Sequence, residues 1–236
     1  MATIRGRSAS VLVAVATAIG IIAITLPLFL NPVWVAFEQD RAQAAAWTGF
    51  TPAELRVATN AILADLVVGP PQFDVALDGK PVLDARERDH MRDVRTVFIG
   101  FFAVALLLVA GGAIVASRRH GGDRFRTWRA VRAGAIGLIV VLLVVGVVAL
   151  VAFDALFEVF HRLFFAGGSY TFDPATERLV QLFPFQFWQE TAMAVGAVSI
   201  ILAAIVALVA SARLADRATP TGAEATSAES APAGSR

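Results

Sequence analysis

Four long apolar runs are the feature that most limits what this chain can fold into. They cover residues 11–30, 97–116, 133–153 and 191–210. Each is about 20 residues long, the length that a helix needs to cross a hydrocarbon core of about 30 Å. Because backbone groups in lipid must be hydrogen-bonded internally, such runs are expected to be helical. The sequence therefore predicts an all-α integral membrane protein with four transmembrane helices.

The positions of the arginines predict how these helices are oriented. Two pairs flank the first and fourth runs, namely Arg5, Arg7, Arg213 and Arg217. The loop 117–132 between the second and third runs is also rich in arginine, whereas the other two loops mix both signs of charge. Short loops rich in Lys and Arg stay in the cytoplasm. We therefore expect a multi-pass protein of the cytoplasmic membrane with both termini inside.

This topology divides the chain into nine segments. They are a cytoplasmic N-terminus (1–10), a first transmembrane helix (11–30), an extracytoplasmic insertion (31–95), a second transmembrane helix (96–116), a cytoplasmic basic loop (117–132), a third transmembrane helix (133–153), an extracytoplasmic aromatic loop (154–190), a fourth transmembrane helix (191–212) and a disordered cytoplasmic tail (213–236). The first run could also be a signal peptide. Since it is longer than the usual apolar region of about 7–15 residues, we favour a retained anchor.

Local motifs predict that the long insertion is largely helical. Thr51-Pro52-Ala53-Glu54 has the spacing of a capping box with proline at the first helical position. Asp84 and Glu87 form a second capping box, which would start a helix that continues into the second apolar run. Asp78-Gly79 is typical of a hairpin turn. We therefore expect a small helical insertion between the first two transmembrane helices.

Composition excludes several kinds of chemistry. The chain has no cysteine, so disulfides, thiolate metal sites and a cysteine nucleophile are excluded. Its net charge is +1, and the arginines are explained by topology, so we expect no nucleic acid partner.

Two of the three histidines point to a catalytic site. His90 precedes the second run and His161 follows the third, so both are expected at the extracytoplasmic membrane surface. Glu87 and Glu158 each lie three residues before one of these histidines. Histidine suits proton transfer because its ordinary pKa is about 6.5. The third histidine, His120, lies in the basic loop and is expected to be a solvated turn residue.

Charged neighbours of the two histidines are expected to support them. They are Glu87, Asp89, Arg92, Asp93, Asp154, Glu158 and Arg162. A carboxylate on the same helical face can fix the tautomer of an imidazole and stabilise its charged form. The two arginines permit two interpretations, binding of lipid phosphate or stabilisation of an oxyanion.

The second extracytoplasmic loop is dense in aromatic residues. Those expected to contact substrate or lipid are Phe160, Phe164, Phe165, Tyr170, Phe172 and Phe183. They could form an interfacial girdle that anchors the helices, or a lid or pocket wall over the histidines. The sequence leaves both interpretations open.

A metal site is an alternative use of the same residues. Glu87 with His90 and Glu158 with His161 form two Glu-x-x-His motifs, which helix bundles use for di-iron sites. Such a site also needs one carboxylate from each of two further helices. Glu38 and Glu190 are the available candidates, and the set is incomplete. We therefore expect no metal and no cofactor.

Several motifs around these residues resemble a known family. They are Arg88-Asp89-His90-Met91-Arg92-Asp93-Val94, Phe153-Asp154, Phe160-His161-Arg162-Leu163-Phe164-Phe165, Phe172-Asp173-Pro174-Ala175-Thr176 and Leu182-Phe183-Pro184. In combination they resemble a bacterial family of four-span integral membrane proteins that includes the lipoprotein intramolecular transacylase of Gram-positive bacteria. The resemblance covers nearly the whole chain up to the tail.

The resemblance implies a specific acyl transfer. The family's enzyme moves the sn-2 acyl chain of an S-diacylglyceryl cysteine to the α-amino group of the same cysteine, which gives a lyso-form lipoprotein. The implied partners are diacylglyceryl lipoproteins and membrane lipid, with His90 and His161 as general acid and base. The alternative from another class is a non-enzymatic membrane protein that binds lipid or lipoprotein through its aromatic surface.

Overall fold

The computed structural model describes residues 2–119 and 122–216. His120 and the part of the expected tail (213–236) from residue 217 onward lie outside the described residues, whereas residues 213–215, predicted to be disordered, belong to the last helix. In chain order the helices are α1 (Ala2–Thr25), α2 (Pro32–Arg41), α3 (Ala44–Thr48), α4 (Pro52–Val67), α5 (Ala85–Ser117), α6 (Gly122–Phe164), α7 (Arg178–Leu182) and α8 (Phe185–Ala215). Strands β1 (Ala76–Leu77) and β2 (Lys80–Pro81) lie between α4 and α5.

The four long helices α1, α5, α6 and α8 are long and apolar enough to cross a membrane. The predicted four-helix membrane fold is confirmed. α1 packs against α5 and α6, and α6 packs along α8. Small residues allow close approach: a Cβ added at Gly134 of α6 would lie 2.2 Å from the carbonyl oxygen of Ala14 in α1. Contact between backbones through small residues is a common means of packing helices in lipid.

The part of the predicted insertion (31–95) that precedes α5, residues 31–84, folds at one end of the four-helix bundle. Both predicted capping boxes are present, Thr51 with Glu54 and Asp84 with Glu87. The expected turn at Asp78-Gly79 joins the antiparallel strands. The insertion encloses an apolar core together with α7 and the first turns of α5. Its largest fully buried side chains are Ile62, Phe73, Leu83 and Leu182.

α6 is interrupted near the end of its apolar run. Ala152 has non-helical backbone angles, with φ −149° and ψ 45°, and the helix resumes after it. The segment 153–164 beyond this kink carries His161. We expected the third transmembrane helix to end at residue 153, followed by a loop; α6 continues past this point to Phe164, and the sequence did not predict the kink. The kink and the insertion lie toward the same end of the bundle as His90.

Candidate active site

The structure brings the two predicted histidines together. The ring centroids of His90 and His161 are 6.2 Å apart, and the ring planes differ by 20°. His90 projects from the second turn of α5, and His161 from the last turn of α6. Both are buried, with exposed fractions of 6% and 9%. Two imidazoles in this arrangement could each exchange a proton with one bound substrate.

A backbone contact defines the tautomer of His161. Its Nδ1 lies 2.7 Å from the carbonyl oxygen of Phe157, one helical turn earlier. A carbonyl oxygen only accepts hydrogen bonds, so in the neutral ring Nδ1 carries the proton and donates it. Nε2 is then left with a free lone pair. His161 is therefore arranged to accept a proton at Nε2.

The Nδ1 atom of His90 has no hydrogen-bond partner among the described residues, although it is buried. Its ring lies 4.8 Å from the ring of Phe165 and 5.3 Å from that of Phe172. An unsatisfied buried polar group costs about 1–3 kcal/mol. Such an atom is accordingly suited to a polar group of a bound substrate.

Aromatic rings also surround His161. The nearest centroids belong to Phe157 at 4.0 Å, to Tyr170 at 5.1 Å, and to Phe160 and Phe165 at 5.4 Å each. Phe165 thus contacts both histidines. The enclosure is mostly apolar, so hydrogen bonds and charges within it are weakly screened.

The two upstream glutamates form hydrogen bonds with groups other than the histidine rings. Glu87, which is 1% exposed, accepts hydrogen bonds from the backbone N–H of Asp84 at 2.7 Å and of Leu179 at 2.6 Å. It therefore joins the start of α5 to α7. Glu158 accepts hydrogen bonds from Arg162 Nε at 2.7 Å and from the hydroxyl of Tyr170 at 3.0 Å.

The other charged residues of the predicted set lie at the surface. Asp89 pairs with Arg92, which also donates to the carbonyl oxygen of Pro71 at 3.1 Å. Arg92 thereby secures the loop after α4. Arg162, whose side chain is 73% exposed, pairs with Glu158 as described. Asp93 and Asp154 are exposed.

The predicted aromatic residues occupy three different positions. Phe165, Tyr170 and Phe172 pack on the histidines, as described above. The ring of Phe160 lies 5.4 Å from that of His161 and 4.8 Å from that of Phe164, and both phenylalanines are 47% exposed. Phe183 is 7% exposed and packs against Phe187 in the core of the insertion.

The remaining carboxylates of the metal alternative form a separate cluster. Glu38 is 3% exposed, and Arg41 Nε bonds Glu190 at 2.5 Å and lies 3.9 Å from Glu38. Burial raises the pKa of the Glu38 carboxyl above its ordinary value, and the neighbouring Glu190 raises it further. Among residues 2–119 and 122–216, no three His, Asp or Glu side chains are grouped so that they could hold a metal ion.

The chain matches a known protein family. The family described as lipoprotein intramolecular transacylase Lit matches residues 9–188, a range that includes both histidines and the aromatic loop. The chain belongs to the Lit family. The family resemblance inferred from the sequence motifs is therefore confirmed, and so is the assignment to a family of membrane acyltransferases. Among curated proteins, none matches the chain.

Solved structures of the Lit protein from Bacillus cereus have the same fold. One is 17% identical with a TM-score of 0.71, and the match covers 91% of this chain and 97% of that chain. In two others a histidine is replaced, by arginine in one and by alanine in the other. These two are 16% and 17% identical to this chain, with TM-scores of 0.67 and 0.68. The matches cover 91% of this chain in both cases, and 93% and 95% of the other chain.

Two contributions to the site of this Lit family member were not predicted from the sequence. The backbone carbonyl of Phe157 accepts a hydrogen bond from His161, and because every residue carries a carbonyl group, residue type gives no signal for this contact. The ion pair of Arg86 with Glu177 holds the loop that covers His90. Because this pair joins distant parts of the chain, no local pattern indicates it.

Proposed function

We propose that this protein transfers the sn-2 acyl chain of an S-diacylglyceryl cysteine to the α-amino group of the same cysteine, giving lyso-form lipoprotein. Membership of the Lit family supports the reaction class. The observation that carries the proposal is the pair of buried histidines with ring centroids 6.2 Å apart. Its substrates are diacylglyceryl lipoproteins, and membrane lipid surrounds the site.

Acyl transfer to an ammonium group requires the removal of two protons. A free α-amino group has a pKa of about 7.7–8.0, so much of it is protonated near neutral pH. His161 accepts the first of these protons at Nε2, and the neutral nitrogen then attacks the ester carbonyl carbon. This forms the new C–N bond and a tetrahedral intermediate.

Collapse of the intermediate uses both histidines. His90 accepts the second proton from the nitrogen, and the protonated His161 donates to the departing glycerol oxygen as the ester C–O bond breaks. His90 then releases its proton to solvent, which restores both neutral rings. Because the substrate carries both reacting groups, holding them in position supplies much of the acceleration.

The site is proposed to face the extracytoplasmic side at the level of the lipid ester groups. The arginine distribution supports this orientation. His90 lies seven residues before the second apolar run, and a helix rises about 1.5 Å per residue, or about 10 Å in all. Phe160 and Phe164, exposed beside His161, are proposed to contact the acyl chains.

Replacing each histidine by alanine tests the proposal. Loss of a general acid or base lowers a rate by about 10²–10⁴-fold, and we expect such a loss for His90→Ala and for His161→Ala. The double variant should be little worse than the worse single one, because groups that act as a unit are non-additive. The measurement is mass spectrometry of lyso-form product from a synthetic diacylglyceryl lipopeptide with purified protein.

His120→Ala is the matched control and should retain full activity. The amount of membrane-inserted protein is measured for each variant, so that failed insertion is separated from failed catalysis. Normal product from both histidine variants would contradict the catalytic proposal. Absence of product from the wild-type protein would favour a lipid-binding protein instead, whose binding surface would include the exposed rings of Phe160 and Phe164.

A further inference from the structure

The loop after α6 covers both histidines. We call residues 165–172 the aromatic cover. Phe165 packs on both imidazoles, Phe172 on His90 and Tyr170 on His161. These contacts leave the two imidazole side chains mostly inaccessible, as their exposed fractions show. A substrate that reaches the histidines must therefore displace or replace part of the cover.

Arg86, on the first turn of α5, holds the end of the cover nearest His90. Its guanidinium donates to the carbonyl oxygen of Thr171 at 2.8 Å and forms an ion pair with Glu177. The same guanidinium lies 4.7 Å from the ring centroid of Phe172, in cation–π contact. Three contacts from one side chain therefore position Phe172 against His90.

The other end of the cover is held separately. The hydroxyl of Tyr170 bonds Glu158 on α6, and Gly167 and Gly168 form the turn that reverses the chain, with φ of 68° and 74°. Such positive φ angles favour glycine. The cover is thus fixed to α6 at one end and to α5 through Arg86 at the other.

The proposed reaction needs water to be kept from the ester. A histidine that deprotonates an amine can also deprotonate water, and closing a site against water prevents such side reactions. In the side reaction, the oxygen of water bonds to the ester carbonyl carbon and the C–O bond to glycerol breaks. The glycerol oxygen takes up a proton and the free fatty acid leaves, so that the α-amino group stays unacylated.

We propose that Arg86 is a positioning residue which, by holding the aromatic cover over the histidine pair, directs the acyl chain to the amine and away from water. This inference rests on the proposed transacylation. It gives the aromatic cover a role in selecting between two acyl acceptors, the α-amino group and water. The quantity to measure is therefore the ratio of hydrolysis to transfer.

Substitution of Arg86 in the full-length purified protein provides the test. The synthetic diacylglyceryl lipopeptide is incubated with Arg86→Ala in water enriched in ¹⁸O, and both products are measured by mass spectrometry. Only hydrolysis places ¹⁸O in the fatty acid. We expect the ratio of labelled fatty acid to N-acylated lipopeptide to rise by about tenfold over wild type, equivalent to about 1.4 kcal/mol between the two barriers.

Two variants calibrate this result. Arg86→Lys keeps a charge for Glu177 but loses the planar fork that serves several contacts, so its ratio should be intermediate. Arg88→Ala removes a neighbouring arginine of the same helix, which donates to the carbonyl oxygen of Asp84, and should leave the ratio unchanged. Amide hydrogen exchange in the cover should be faster in Arg86→Ala than in Arg88→Ala.

The outcomes separate this inference from the proposed function. If the wild-type protein forms no N-acylated product, the proposed function fails, and the wild-type reaction alone shows it. If wild type transfers normally and Arg86→Ala lowers both products in proportion, Arg86 is only structural and the inference is overturned. Should Arg86→Ala fail to insert, Phe172→Ala removes the covering ring while leaving Arg86, and an unchanged ratio in that variant overturns the inference equally.

Discussion

Glu87 offers a sharp test of how the site is held together. Its two carboxylate oxygens each accept one backbone N–H: Oε2 that of Asp84 and Oε1 that of Leu179. Replacing Glu87 by glutamine keeps the volume but turns one oxygen into an NH₂ group. That group faces an N–H donor, so one of the two hydrogen bonds is lost, and the other becomes a neutral one.

The expected loss of stability follows from these two contacts. A hydrogen bond to a charged acceptor contributes about 1.5–3 kcal/mol, and leaving a buried donor unsatisfied costs about 1–3 kcal/mol. Because the two figures partly describe the same loss, they are not added. We expect Glu87→Gln to lower the free energy of unfolding by about 2–3 kcal/mol. For a chain of this size, such a loss lowers the Tm by about 4–12 °C.

Thermal unfolding of the purified protein in detergent measures this effect. Asp93→Asn is the control, because Asp93 is exposed on the same helix and its change should stay within about 0.5 kcal/mol. Acyl transfer by Glu87→Gln should also fall, since Glu87 fixes the first turn of α5, next to the turn that carries His90. A Tm equal to that of wild type would refute the view that Glu87 joins α5 to α7.

Three further predictions concern orientation, metal and packing. In intact cells a membrane-impermeant thiol reagent should label Lys80→Cys and Thr176→Cys but not Arg124→Cys, because the arginine pattern predicts that only the first two are extracytoplasmic; labelling of Arg124→Cys alone would reverse the orientation. Chelation should leave acyl transfer unchanged, since the proposed proton transfers use imidazoles; activity lost to a chelator and restored by a metal ion would disprove this. Gly134→Ala should lower the Tm because its methyl group would overlap the Ala14 carbonyl, at a cost of about 1–3 kcal/mol or more. Gly137→Ala meets no atom within 4 Å and should be neutral, so an equal effect of the two would contradict this account of the packing.

Features encoded locally could be predicted from the sequence. The transmembrane helices follow from the length of the apolar runs, and the two capping boxes follow from residues three positions apart. The shared side of His90 and His161 follows from counting membrane crossings. These inferences need no knowledge of how distant segments pack.

Features that depend on distant or backbone partners could not be predicted. The partner of His161 is a carbonyl group, which every residue has, so residue type gives no indication of it. Glu87 bonds a backbone N–H of α7, although its sequence position also suits a contact with His90. The contacts of Arg86 with the aromatic cover depend on how the loop after α6 folds back onto α5.

Because α6 is kinked at Ala152, the direction in which His161 points is not set only by how the membrane-crossing part of α6 is rotated about its axis. In an unbroken helix, inserting one residue below the site would turn His161 by about 100°. Here the segment beyond Ala152 is oriented by its own neighbours: Phe153 and Phe157 pack on Phe185 at the start of α8, with centroids 5.3 Å and 6.1 Å apart. The direction of His161 toward His90 therefore depends on these ring contacts as well as on the rotation of residues 122–151. The register of the third transmembrane helix, which the contact of Gly134 with Ala14 of α1 constrains, is in this sense set separately from the direction of the histidine.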